Sequence, residues 1–289
     1  MGLHPLVVAI GVTLVMGVTK LAVALWSGSH AVMASAADSL GDAIVSGVNL
    51  LMVRQAAEPA DEGHPWGHGK AEALASLAQA VVLGVVVLAI AGNAVAQVVE
   101  GGAAVPRAGP ALGVMVLSLT GSLFISTYLS RAGTESGSLV VKADAVHYRM
   151  DVFTGGAVMV GIGASVFFGT ALGDALASIV VSAMMVKDVY ALGREAVDEL
   201  MDRPLPEEET RQLEAVLREV GAPLLSWHDL RTRRSGPHRF VQVHVVLPAH
   251  IPFAQAHAAA DDVEARLRAA LPNVDVIVHA DPEGVEEPR

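Results

Sequence analysis

The sequence predicts a bundle of six membrane-spanning helices followed by a cytoplasmic α+β domain, ferredoxin-like in outline. Three observations predict it. The chain has 289 residues, 53% of them hydrophobic, and its mean hydropathy is +0.50, above the range of an ordinary soluble domain. Apolar runs long enough to cross a bilayer, about 20 residues each, fill the first 200 or so positions. The last 85 or so residues change to amphipathic and alternating patterns and hold six of the eleven His. The expected domains are 1–203, a six-helix transmembrane domain, and 204–289, a cytoplasmic metal-binding α+β domain.

The spans are expected at roughly 5–26, 31–53, 72–99, 111–130, 145–168 and 171–193, separated by "WSGSH", "EPADEGHPWGHGK", "EGGAAVPRAGP", "SRAGTESGS" and "FGTALGD". Gly, Pro, Ser and Asp give each break its turn chemistry. The apolar start lacks the basic lead of a signal peptide. Arg54 and Lys70 flank the second-to-third connection, Arg131 and Lys142 the fourth-to-fifth, and Lys187, Arg194 and Arg203 the exit from the sixth; the opposite connections hold only Arg107. The positive-inside rule then places both termini in the cytoplasm. Lys20, near the outer end of the first span, is expected to snorkel outward. After "DRPLPEEE", an amphipathic helix (207–220) with an acidic start is followed by a strand (225–233), the turn "SGPH" and a strand (239–247). A helix (254–270) and a last strand (274–280) complete the order.

The absence of Cys excludes disulfides and thiolate ligands. It argues against Cu(I) chemistry unless Met supplies the ligands. A net charge of −11 argues against nucleic-acid binding.

Charges inside the spans carry the functional signal. Asp38 and Asp42 stand four residues apart in the second span, so they project from one helix face. His147 and Asp151 repeat the spacing in the fifth. A central Asp costs on the order of 2.5–3.5 kcal/mol on insertion scales, and three cost roughly 8–10 kcal/mol. A marginally stable protein needs compensation for that. Facing each other, the two pairs make three carboxylates and one imidazole, enough to close a tetrahedral Zn²⁺ site. The alternative is a structural network, with Arg149 as an ion-pair partner and Asp144 paired to Lys142. An intramembrane aspartyl protease would instead need its two Asp on different helices, sharing a proton.

Asp61, His64 and His68 fall within eight residues in the second-to-third connection, with metal-ligand spacing. In the tail, strand alternation puts His279 and Asp281 on one face. His244 lies opposite Val241, Val243 and Val245, His257 shares a helix face with Asp261, and His228 begins a strand segment.

The motifs "ADSLGD", "PADEGHPWGHGKAE", "HYRMD", "HDLRTRRSGPHRF" and "VIVHADP", in this order and spacing, resemble the cation diffusion facilitator family, and closely its bacterial zinc/ferrous-iron efflux branch. The resemblance covers nearly the whole chain. It implies a six-helix membrane domain with a metallochaperone-like tail, in a homodimer of the bacterial inner membrane. It implies efflux of Zn²⁺, Cd²⁺ or Fe²⁺ in exchange for H⁺ by alternating access, and no enzyme activity. By position, Asp38, Asp42, His147 and Asp151 become the transport site and Asp61, His64 and His68 a loop site. His228, His244, His257, His279 and Asp281 become a binuclear tail site at the dimer interface, and Lys70 and Asp202 an interlocking charge pair. Zn²⁺ is then both substrate and structural or regulatory ion. Val146 stands where close relatives carry Leu in a hydrophobic gate. The alternatives are a Mn²⁺/Fe²⁺ exporter of the same family and a membrane-bound metal sensor that does not transport. His147 favours Zn²⁺ or Cd²⁺ over Mn²⁺, because imidazole suits the former and all-oxygen sites the latter.

Overall fold

The computed structural model describes residues 4–27, 30–100, 109–168 and 172–284. It divides into two compact units, Met1–Val197 and Asp198–Arg289.

The first unit is built from α1 (Pro5–Ser27), α2 (His30–Ala56), α3 (Lys70–Glu100), α4 (Gly109–Ser136), α5 (Leu139–Phe168) and α6 (Leu172–Leu200), whose last turn enters the second unit. Among the described residues, four segments are long and apolar enough to cross a membrane: Pro5–Trp26, Ser35–Ala56, Lys70–Ala96 and Gly113–Ser136. Helices α5 and α6, at 30 and 29 residues, are also long enough to span. The first half of α5 holds Lys142, Asp144, Arg149 and Asp151, and α6 ends in "GREAVDEL". Large apolar side chains such as Val81, Val85 and Leu88 of α3 are exposed on the outside of the bundle, as lipid-facing positions require.

Helices α1 and α2 pack as one close pair and α4 and α5 as another, with α1 also against α4; α3 meets α2 and α5. Close approach of the first pair uses Gly17, where an added Cβ would come within 2.8 Å of Leu40. Leu6, Ala9, Ile125, Leu129, Val140, Val141 and Tyr148 form a buried cluster near the α4–α5 connection. A second cluster joins Ala80, Leu83 and Val87 of α3 to Met150 of α5 and to Met185 and Leu192 of α6, with Val146 packed on it.

The break expected over "SRAGTESGS" is much shorter than its composition implies. Helix α4 runs on to Ser136, with the Thr134 and Ser136 hydroxyls satisfied on the carbonyls of Ser130 and Ala132, at 2.9 and 2.8 Å. Only Gly137 and Ser138 separate it from α5, and Gly137 takes the left-handed φ of 70° that ends the helix. The breaks expected at "WSGSH", "EGGAAVPRAGP" and "FGTALGD" lie partly outside the described residues.

In the second unit, α7 (Glu207–Glu219) precedes β1 (Ser226–Ser235) and β2 (His238–Leu247), then α8 (Phe253–Ala270) and β3 (Val274–Pro282). This is the αββαβ order expected. Strands β1 and β2 form an antiparallel hairpin turned at Gly236, whose φ is 56°. Strand β3 pairs parallel to β2, with α8 as the crossover, so the sheet order is β1-β2-β3. The core face carries Val241, Val243, Val245 and Val276 against Leu213 and Leu217 of α7 and Val263 and Leu267 of α8. Glu207, Glu208 and Glu209 at the start of α7 suit the positive end of its dipole. Glu209 also accepts two bonds from the Arg239 guanidinium, both 2.8 Å, tying α7 to β2.

Candidate metal centres

Asp42 on α2 and His147 on α5 face each other, with His147 Nε2 3.0 Å from Asp42 Oδ1. Asp151, one turn along α5, completes a trio whose ligand atoms all lie within 4.8 Å of one another. Small side-chain rotations bring such a set within the ~2.0–2.2 Å that Zn²⁺ takes to nitrogen and carboxylate oxygen. Asp38 is outside the trio. It lines the same cavity of about 670 Å³, with Asp42, Asp151, Lys20, Ser118, Ser122 and Thr154.

The two sides of the trio differ. The cavity extends toward the end of the bundle where α1 stops and α2 and α4 begin. Toward the α4–α5 connection the space is filled by a buried polar network. Asp144, fully buried, accepts from Ser46 Oγ at 2.8 Å and from Asn49 Nδ2 at 3.1 Å. The Ser46 and Tyr148 hydroxyls are 2.9 Å apart, and Asn49 also donates to Gln79 Oε1 at 3.0 Å. Three helices are thereby fastened on one side of the trio. Two ion-pair partners considered from the sequence are engaged elsewhere. Arg149 pairs with Asp188 of α6 at 2.9 Å, and Lys142 with Glu195 of α6 at 2.5 Å. Neither pairing involves the trio or Asp144, because both cations project toward α6.

Lys20 corrects a second expectation. It does not snorkel outward: it is 3% exposed, and its Nζ donates to Ser39 Oγ at 2.6 Å and to the Ser35 carbonyl at 3.4 Å. The neighbouring helix supplies its polar partners.

The connection between α2 and α3 folds around Asp61. Its Oδ1 accepts the His64 amide at 2.6 Å. That bond is the main reason the Asp61 carboxyl sits below the usual carboxylate range. His64 Nδ1 and His68 Nε2 each lie 3.5 Å from an Asp61 oxygen, and the two rings are 4.4 Å apart. His68 Nδ1 is buried without a hydrogen-bond partner. Gly67, at φ 80°, turns the chain so that His68 returns to Asp61.

In the tail, strand register builds the site. His228 pairs with His244, and His244 with His279, so the three form one row across the sheet. The row lies on the face opposite the core. Asp281 reaches all three: 3.4 Å to His228, 3.0 Å to His244 and 3.2 Å to His279. His228, His244 and Asp281 offer ligand atoms within 4.8 Å of one another. Beside the row, the β1 register shifts between His228 and Arg231, with Asp229 at φ 49°. His257 does not join. It stands on α8, which packs on the core face, and lies 3.7 Å from Asp261.

Comparison with known proteins decides the frame. Residues 6–201 match the cation efflux transmembrane domain, and residues 205–283 the cytoplasmic domain of cation efflux proteins. The chain belongs to the cation efflux family. Two cation-efflux pumps called FieF are among its relatives. The one from Klebsiella pneumoniae is 36% identical over 90% of this chain and 86% of its own. The one from Salmonella newport is 35% identical over 89% and 85%. A solved structure of CzrB in its Zn form is 36% identical over 30% of this chain and 99% of that one, with a TM-score of 0.28. The family settles that this is a membrane transporter of cations and not an enzyme. It also draws α5 and all of α6 into the transmembrane domain despite their charges.

Within the cation efflux frame, sequence reasoning named two residues, Asp144 and Lys20, but gave them the wrong partners. Asp144 was legible as a stripe. Asp38, Asp42, Ser46 and Asn49 follow one another at helical spacing on α2, and Asp144, His147 and Asp151 do so on α5. Lys20 gave no comparable signal, since its partners come from another helix.

Proposed function

We propose that the protein exports Zn²⁺ from the cytoplasm, with Cd²⁺ or Fe²⁺ as further substrates, in exchange for H⁺. The observation that carries this reading is the Asp42–His147–Asp151 trio, held between two helices with Asp38 in the adjoining cavity. One imidazole among carboxylates favours Zn²⁺ over Mn²⁺. Protons and a divalent cation compete for the same oxygens and the same ring nitrogen, so protonation from outside empties the site. The protonated site then returns by alternating access. The Lys and Arg distribution puts both termini in the cytoplasm of the bacterial cell, so the cavity at the α1–α2 end faces outward. The buried Asp144 network and the cluster around Tyr148 then close the cytoplasmic side, with Val146 packed against the cluster of α3, α5 and α6.

In this reading residues 1–203 transport and residues 204–289 form the homodimer contact in the cytoplasm. Asp61, His64 and His68 hold a second ion. His228, His244, His279 and Asp281 hold tail ions, and His257 contributes from the partner subunit, since its own helix lies on the other side of the sheet. The test is metal uptake into proteoliposomes under an imposed pH gradient, comparing Zn²⁺, Cd²⁺, Fe²⁺ and Mn²⁺. Zn²⁺ flux driven by the gradient, and lost in Asp151→Ala with the protein still folded, is the expected result. Normal flux in Asp151→Ala, or a preference for Mn²⁺, overturns the reading.

A further inference from the structure

A lysine in the wall of a cation-transport cavity needs a reason. Lys20 is buried on α1, and its ammonium is held by the Ser39 hydroxyl at 2.6 Å and the Ser35 carbonyl at 3.4 Å. Neither holder is a carboxylate. Yet the cavity it lines also exposes Asp38, Asp42 and Asp151. A buried ammonium is costly without compensating charge, and three carboxylates without a cation repel one another in the same low-dielectric space. Each charge set answers the other. The ammonium is held by Ser39 and Ser35 and not by a ligand carboxylate, so it acts on the carboxylates of the shared cavity through space.

We propose that Lys20 is a tethered counter-cation of the transport site. When the divalent ion leaves, Lys20 offsets part of the carboxylate charge and lets the empty site persist. When the ion binds, Lys20 repels it and keeps the affinity low enough for release. It is a positioning residue for charge rather than a ligand, and the inference rests on the transport-site reading above.

The test measures Zn²⁺ flux by the full chain in proteoliposomes. In Lys20→Gln, which keeps a hydrogen-bond donor for Ser39 but no charge, KM falls at least about tenfold and kcat falls with it, because a bound ion loses a repulsive neighbour. Lys20→Met, similar in length and uncharged, behaves the same way and serves if the Gln variant does not assemble. Lys20→Arg keeps the charge and holds KM within about threefold of the native value. A merely structural role lowers kcat in all three without tightening KM. Asp151→Ala, measured alongside, separates the two ideas. Normal flux in Asp151→Ala overturns the transport-site reading and this one together. With Asp151→Ala inactive, an unchanged or raised KM in the uncharged variants overturns the counter-cation alone.

Discussion

The trio in the membrane and the row in the tail offer similar ligand types in opposite proportions. In the membrane two carboxylates meet one imidazole, and a third carboxylate waits in the cavity. In the tail three imidazoles share one carboxylate, on the outer face of a sheet. Helix spacing places the first set and strand register the second. A site dominated by carboxylates in a low-dielectric bundle carries excess negative charge when empty, so a change in charge drives its filling and emptying. A site dominated by imidazoles carries less negative charge of its own when empty. The first composition suits turnover and the second retention.

Exchanging the proportions is the strongest way to break that contrast. His147→Asp makes the membrane site all oxygen. The preference for Zn²⁺ over Mn²⁺ in competition assays should then fall roughly tenfold or more. Unchanged selectivity means His147 does not set it.

A smaller effect is expected in the tail. A ligand at a hundredfold excess over its Kd stabilises the folded form by about 2.7 kcal/mol, so residues 204–289 should melt at higher temperature with Zn²⁺. Asp281 touches all three His of the row. His279→Ala combined with Asp281→Ala should therefore remove most of the shift, and Asp281→Ala alone more of it than His279→Ala alone. His257→Ala should leave the shift of an isolated monomer unchanged. An undiminished shift in the double variant shows that the row does not hold the ion.

The smallest effect sharpens the comparison by showing what a purely structural pair does. Bonds from Arg239 hold the Glu209 carboxyl below its ordinary value of 4.5. The pair therefore adds stability above that value, and the contribution is lost as pH falls through the lowered folded value. Glu209→Gln should flatten the acid limb of the tail domain's stability curve. At neutral pH it should cost about 1 kcal/mol, a melting shift of roughly 4–8 °C for a domain this size. An acid limb unchanged in this variant would place the titrating group elsewhere.

Much of this architecture was legible because periodicity is local. The αββαβ order of the tail followed from alternation in "FVQVHVVL" and from turn residues, and the membrane helices followed from apolar length. Local rules failed where polar residues satisfy themselves. "SRAGTESGS" reads as a loop, but the helix continues through it, and the Thr134 and Ser136 hydroxyls bond back to its carbonyls. The candidate sites divide similarly. Spacing along one helix brings Asp151 beside His147, but nothing in the sequence says that Asp38 stays in the cavity while Asp42 meets His147. His257 and Lys20 depend on which neighbour covers a helix face, and that is a tertiary fact.

The two-residue connection at Gly137 and Ser138 constrains how the bundle rearranges. A long loop would let α4 and α5 move separately. Here a short tether and close packing along their length make the pair a single lever. His147 and Asp151 ride on one arm of it, and the α4 residues Ser118 and Ser122, on the cavity wall, ride on the other. Any displacement that opens the ligands to a new side therefore carries that wall along. In the transport cycle proposed above, the doorway and the candidate ligands then share one degree of freedom.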